Sequence, residues 1–262
     1  MSAPPVRRPL SLLVPALVAA TVLVLPLIGL LQRAPWSTLI ERLTDEVVVD
    51  ALQVSLIVSV TAAALCVVLG VPLAWLLARS ELPGINLLRA VVMVPMVLPP
   101  VVAGTALLFA LGRRGLVGQW LDEWFGLTLP FTTAGAVLAA TFVALPFFVI
   151  TVESALRQQG GLLEEAAATS GAGPVATFWH VTLPSVRAAL GAGLALAWAR
   201  ALGEFGATIT FAGSLGGRTR TLPLETFLAL ETDRETALAI SVLLLGVSIA
   251  VLAALRGRWL VR

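Results

Sequence analysis

Six apolar stretches almost free of charge punctuate the chain, at about residues 9 to 32, 51 to 78, 90 to 112, 131 to 152, 188 to 212 and 236 to 255. Each approaches or exceeds the roughly 20 residues with which an α-helix crosses about 30 Å of hydrocarbon. Only the fifth carries charge, at Arg200 and Glu204. Lipid offers no partners to free backbone groups, so such spans are helical, and a sheet edge at that depth is very costly. The pattern predicts an all-α integral membrane protein with six transmembrane helices. Prolines at 72, 95, 99, 100 and 146 fall inside spans, where they are expected to kink or locally open the helix.

The polar positions between the spans refine this picture. Arg7 and Arg8 precede the first run as the charged leader of a secretory signal does. That run is too long for a signal, and no small-x-small cleavage site follows Leu31 before the Arg33-Ala34-Pro35 turn, so it reads as a retained helix. After the third span, Leu116, Val117, Trp120, Leu121, Trp124 and Phe125 recur at helical spacing beside Gln119, Asp122 and Glu123. This stripe fits a short helix in the membrane interface with its tryptophans at headgroup depth, or equally one packed on the end of the bundle.

Six spans put both termini on one side. With the termini inside, nine arginines are internal (7, 8, 79, 89, 157, 187, 256, 258, 262) and seven external (33, 42, 113, 114, 218, 220, 234). Four acids are internal (81, 153, 164, 165) against ten outside, which leaves +5 within and −3 without. The balance agrees with a cytoplasmic location for both termini, although acidic residues weigh little in the positive-inside rule.

Composition narrows the function classes. Hydrophobic residues are 58% and charged residues 12% of the chain, with mean hydropathy +0.98; soluble domains average roughly 45–50% and about 25%. All 17 basic residues are arginine. Without lysine the chain has neither the phosphate-reaching residue of a P-loop nor a Schiff-base amine. Any ATP that drives it is hydrolysed on another subunit. The single cysteine, Cys66, sits in an apolar run and is expected to pack, and no internal disulfide can form. His180, the one histidine, has no neighbouring ligands and makes no metal site.

The longest loop on the inner side, Glu153 to Arg187, is the informative one. Leu162 to Ser170 favours a helix, Gly171 suits a left-handed cap, and Gly173-Pro174 stops the helix while placing Pro174 in the first turn of a second one. The expected product is a compact helix-turn-helix outside the membrane.

This segment resembles the E-A-A-x3-G-x9-[IV]-x-L-P signature of bacterial ABC importer permeases, through Glu165, Ala166, Ala167, Gly171, Val181, Leu183 and Pro184. The resemblance implies a type I ABC importer transmembrane fold in which the segment is the coupling helix, seated in a groove of the ATP-hydrolysing subunit. The residue types suit such docking, since two alanines permit close approach, Glu165 can pair with a basic residue, and Gly171 permits a tight reversal. An amphipathic linker with an ordinary glycine cap explains each residue singly but not their joint spacing.

The fifth span and its loop, Ala199-Arg200-Ala201-Leu202-Gly203-Glu204-Phe205-Gly206-Ala207-Thr208 with Thr219-Arg220-Thr221-Leu222-Pro223 beyond, are similar to the A-R-x-L-G-E-F-G-A-T and T-R-T-L-P stretches of molybdate permeases. The resemblance covers about residues 51 to 255 and implies molybdate as cargo, tungstate as a further candidate and sulfate or thiosulfate as the alternative. Arg200 and Glu204 lie four residues apart and can neutralise each other in the bilayer. A structural intrahelical pair and a place near the subunit interface or pathway, where Gly203 and Gly206 allow close helix approach, both stay open. Glu204 repels a dianion, which argues against a binding site.

The implied organisation is a tail, first helix and outer loop over 1–50, a permease domain over 51–255 with its coupling loop at about 160–185, and a short cytoplasmic tail over 256–262. The implied partners are ABC ATPase subunits that carry ATP and Mg²⁺, a second permease copy, an external oxyanion-binding protein and the lipid bilayer, without nucleic acid. The chain itself is expected to hold no cofactor and to be no enzyme. Two other classes fit poorly. A glutamate-type intramembrane protease needs an arginine after Glu164-Glu165 and buried histidines, which are missing. A secondary transporter should show repeated halves, and ion coupling does not require the long inner loop.

Overall fold

The structure is a computed structural model that describes residues Leu10–Trp259. Arg7, Arg8 and Arg262 of the charge count lie outside the described residues. In chain order the elements are α1 (Leu10–Arg33), α2 (Leu39–Leu43), α3 (Glu46–Arg79), α4 (Ile85–Val97), α5 (Pro100–Leu111), α6 (Gly118–Phe125), α7 (Thr133–Gln159), α8 (Leu162–Thr169), α9 (Pro174–Thr177), a π-helical turn (Phe178–Thr182), α10 (Leu183–Ser185), α11 (Arg187–Leu202), α12 (Gly206–Phe211), α13 (Leu222–Thr232) and α14 (Arg234–Trp259). Every regular element among the described residues is helical, as the hydropathy pattern predicts.

Four segments, Leu12–Arg33, Glu46–Arg79, Thr133–Gln159 and Arg234–Ala254, are long and apolar enough to cross a membrane unbroken. Counting two bent pairs brings the number to six: α4 with α5, turned by 119°, and Pro174–Ser185 with α11, turned by 71°. The third run is therefore not the continuous rod that the sequence pattern suggests, whereas the second bend lies ahead of the fifth run, at the end of the inner loop. At Leu98 the backbone turns extended (ψ 133°), as a residue before proline does, and Pro99 and Pro100 together remove two consecutive N–H donors from the ladder. Single prolines do less: α3, α4 and α7 run on through Pro72, Pro95 and Pro146. The fifth run stops at Leu202, and α12 begins only at Gly206.

The core is a three-helix stack of α3, α7 and α11. Small buried residues bring the backbones together, with Ala62, Ala140, Ala144 and Ala197 around Phe148 and Cys66. Phe148 of α7 is wedged between two glycines: a Cβ on Gly70 of α3 would stand 2.5 Å from its ring, and one on Gly193 of α11 3.2 Å. Small residues of this kind let membrane helices gain van der Waals contact where no hydrophobic force drives them together. Cys66 simply packs here, fully buried. A second cluster joins α5, α7 and α12 through Leu107, Val143 and Phe211. A third joins the start of α3 to α13 and α14 through Val48, Leu222 and Ile240. By contrast, α1 leaves its apolar surface exposed and, among the described residues, packs chiefly against α14.

The stripe after the third span forms α6, where Trp120 and Trp124 lie 5.3 Å apart. Leu116, Trp120, Trp124 and Phe125 are all exposed rather than packed on the bundle, which favours the interfacial reading of that helix.

Candidate functional site: the elbow and the crossing of the broken helices

The segment between α7 and α11 folds as an elbow. Helix α8 ends at Thr169, and Gly171 takes the left-handed conformation (φ +87°) that closes its C-terminus, with the Ala172 N–H donating to Ala167 O at 3.0 Å. Gly173 is the N-cap of α9, and Pro174 occupies its first turn. The second limb is longer and less regular than the sequence suggests, because α9 continues through the π-helical turn into α10.

Of the signature residues, Glu165, Ala166, Gly171 and Pro184 are exposed, and Ala167, Val181 and Leu183 are half-buried. Leu162, Val175 and Trp179, on the same two limbs, are exposed as well. His180 is exposed on the same limb, with Nδ1 3.0 Å from Ala176 O. The neighbouring Glu164 behaves differently. Its carboxylate turns inward, pairing with Arg79 Nε at 2.8 Å and accepting from the Thr182 hydroxyl at 2.9 Å.

Behind the elbow, at the ends of α3, α4 and α7, lies an ionic girdle that the sequence pattern alone does not assemble. Glu153, almost fully buried, accepts from Arg89 Nε at 2.8 Å and Arg157 Nε at 2.9 Å. Both arginines also donate to Leu77 O, each at 3.0 Å, and so satisfy an orphan carbonyl at the C-terminus of α3. The usable signal is one of position: Arg79, Arg89, Glu153 and Arg157 each stand at the polar edge of an apolar run.

The other sequence candidates meet where the broken spans cross. Arg200 Nη1 pairs with Glu204 Oε2 at 2.6 Å, and the Glu204 side chain is 2% exposed. The other oxygen, Glu204 Oε1, accepts the Ala207 N–H at 2.7 Å, so the carboxylate both neutralises Arg200 and caps the restart of the helix at α12. A Cβ on Gly206 would stand 2.4 Å from Pro100 Cβ, and one on Gly104 would stand 2.7 Å from Ala207 O. The break in α4–α5 thus rests directly on the break in α11–α12. A cavity of about 140 Å³ beside it is lined by Pro95, Leu98, Pro100, Val143, Phe147 and Arg200. Gly203 touches no other helix so closely; it borders a shallow groove of about 90 Å³ facing Leu244 and Val251 of α14.

Residues 70–262 match the family described as binding-protein-dependent transport system inner membrane component. The chain is 44% identical over 255 residues, 97% of its own length and 96% of the other's, to the molybdenum transport system permease protein ModB of Mycobacterium tuberculosis. The chain belongs to the binding-protein-dependent permeases, in the molybdenum transport permease family. ModB of Escherichia coli is 41% identical to this permease over 213 residues, 81% of this chain and 93% of that one. The sulfate transport system permease protein CysT of Escherichia coli is 37% identical over 247 residues, 93% and 89% of the two chains. In architecture the permease is similar to a chain from the crystal structure of a bacterial ABC transporter involved in the import of the polysaccharide alginate. The TM-score is 0.72 at 18% identity, covering 96% of this chain and 94% of that one, which is a likeness of fold. The permease is thus a multi-pass inner membrane component of a transport system and not an enzyme.

Proposed function

We propose that this permease carries molybdate inward across the cytoplasmic membrane by alternating access, as one of two like chains driven by separate ATPase subunits. Tungstate is the second expected cargo. The greater identity with ModB of Mycobacterium tuberculosis, over nearly the whole of both chains, than with the sulfate permease is the observation that carries the cargo. Sulfate is the second reading, favoured by that same CysT relative.

Both termini and the elbow face the cytoplasm in this account, and an external binding protein delivers the oxyanion to the opposite end. The ATPase, which holds ATP and Mg²⁺, grips the face formed by Glu165, Ala166, Ala167, Gly171, Val181, Leu183 and Pro184. Exposure of Leu162, Val175 and Trp179 together with the charged Glu165 on a short elbow supports that assignment. Nucleotide binding shifts the equilibrium between inward-open and outward-open bundles through differential contacts at the elbow, not in the pathway. Arg200, Gly203, Glu204 and Gly206 belong to the hinge between broken spans at the pathway wall, where neutralisation of Arg200 keeps a passing dianion from being held too tightly.

Uptake of labelled molybdate, by cells making the permease with its partner subunits, tests the cargo. Tungstate should suppress the uptake and excess sulfate should leave it intact. Suppression by sulfate alone would support the second reading.

A further inference from the structure

The elbow has to transmit a push, yet its first limb is poorly seated on the bundle. Helix α8 packs mainly on α9 and the π-helical turn. It leaves α7 through Gly160-Gly161, and Gly160 adopts a conformation (φ +67°, ψ −168°) that residues with side chains avoid. A diglycine joint of this kind lets a rigid limb pivot instead of moving what it is attached to.

One side chain spans that joint. On the bundle side, Arg79 at the last turn of α3 donates from Nη1 to Leu156 O at 2.9 Å and from Nη2 to Gly160 O at 2.5 Å. On the elbow side, its Nε and Nη2 reach Glu164 Oε2 and Oε1 at 2.8 and 3.2 Å. Glu164 Oε1 also accepts from Thr182, which ties the same carboxylate to the second limb. The pair is mostly buried, with side chains 17% and 22% exposed, so it is screened less than a surface pair. The planar fork of arginine fits this arrangement of four acceptors; lysine, a point charge, cannot fill it.

We infer that Arg79 and Glu164 form a brace across the Gly160-Gly161 joint that makes the elbow move as one body with α3 and α7, and so sets how much transport follows each ATP hydrolysed. This rests on the proposal that an ATPase grips the elbow. The two residues are positioning residues: they act behind the gripped face, which Glu165 shares, and not on the cargo.

The test uses the assembled transporter in proteoliposomes, with ATP hydrolysis and oxyanion uptake measured on the same preparation. Glu164→Gln keeps the size and the acceptor for Thr182 while removing the charge, and Arg79→Lys keeps the charge while losing the fork. Both should retain the ATPase on co-purification and hydrolyse ATP, with uptake per ATP lowered roughly tenfold, within the usual span of couplings between sites. The double variant should lose no more than the worse single one, because the two act as a unit. Normal uptake per ATP in both single variants overturns the brace. So does loss of the ATPase from both, which would make the pair part of the docking face. A Glu165→Arg variant measured alongside separates the two ideas. Its failure to weaken ATPase retention would contradict the gripping proposal, whatever the brace variants do.

Discussion

At the scale of single residues, adjacent side chains of one type do opposite jobs. Glu164 is tied inward and Glu165 is left outward, although both follow the same two leucines. The sequence pointed to Glu165 through its place in the signature, but which of two neighbouring glutamates faces the bundle depends on the roll of α8, and that is set by Arg79, 85 residues away. Gly171 and Pro174 were legible because their demands are local: one needs a positive φ, the other a first helical turn. The same local chemistry governs Asp233 at the opposite end of the bundle. Its carboxylate accepts from the Thr236 hydroxyl and from the Glu235 and Thr236 N–H groups at the start of α14, and it pairs with Arg42 of α2. The Thr236 hydroxyl bond foremost, and then the backbone bonds and Arg42, hold this carboxyl below its usual value. A depressed folded value means that the stabilisation is whole above the ordinary aspartate range and drains away as pH falls through the folded one. The permease in detergent should therefore melt at the same temperature between about pH 5 and pH 8 as far as this group is concerned, and lose stability only below about pH 4. In Asp233→Asn that acid-side loss should shrink; an unchanged acid limb would show that the cap does not matter.

At the scale of elements, hydropathy located the spans but not their shape. Proline marks did not tell a helix that continues, as at Pro72 and Pro146, from one that breaks and turns by 119°, as at Pro99-Pro100. Two adjacent prolines remove two donors, and the resulting turn is then held by a packing partner, α12, that lies over a hundred residues downstream. Helix spacing in the core is set by glycine in the same way. At Gly70 the added methyl of Gly70→Ala would meet the ring of buried Phe148 at 2.5 Å. Overpacking of this kind costs about 1–3 kcal/mol, against a gain of about 0.5–1 kcal/mol in helix propensity, so the net effect is destabilising. A lower unfolding midpoint for Gly70→Ala than for the unaltered permease in the same detergent is expected. A higher midpoint would mean that the Phe148 wedge does not hold α3, α7 and α11 together.

At the scale of the whole molecule, the ion pairs bear on the arrangement of the spans. Arg79–Glu164, Arg89–Glu153 and Arg157–Glu153 join residues that the sequence assigns to one side of the membrane. Arg42–Asp233, Arg42–Glu235, Arg113–Asp122 and Arg220–Glu225 join residues assigned to the other. Among the described residues none of these pairs crosses between the two sets, as expected if the chain passes the membrane six times in alternating directions. Asp122, for its part, holds the Arg113 guanidinium above its ordinary value, mainly through their hydrogen bond. The two ends differ in kind: one carries a braced elbow above an arginine girdle, the other the interfacial helix α6 and the α2–α14 tie. Which end meets the cytoplasm decides whether a nucleotide-driven partner can reach the elbow at all.

The most direct measurement places a single reporter on the elbow. Cys66→Ala removes the buried native thiol, and Val175→Cys introduces a reactive one at a site that is 73% exposed. When the permease is made without its ATPase subunits, a membrane-impermeant maleimide should label this variant in inverted membrane vesicles and leave it unlabelled in intact spheroplasts. Labelling from the external face in spheroplasts would put the elbow beyond the reach of any cytoplasmic ATPase and contradict the account.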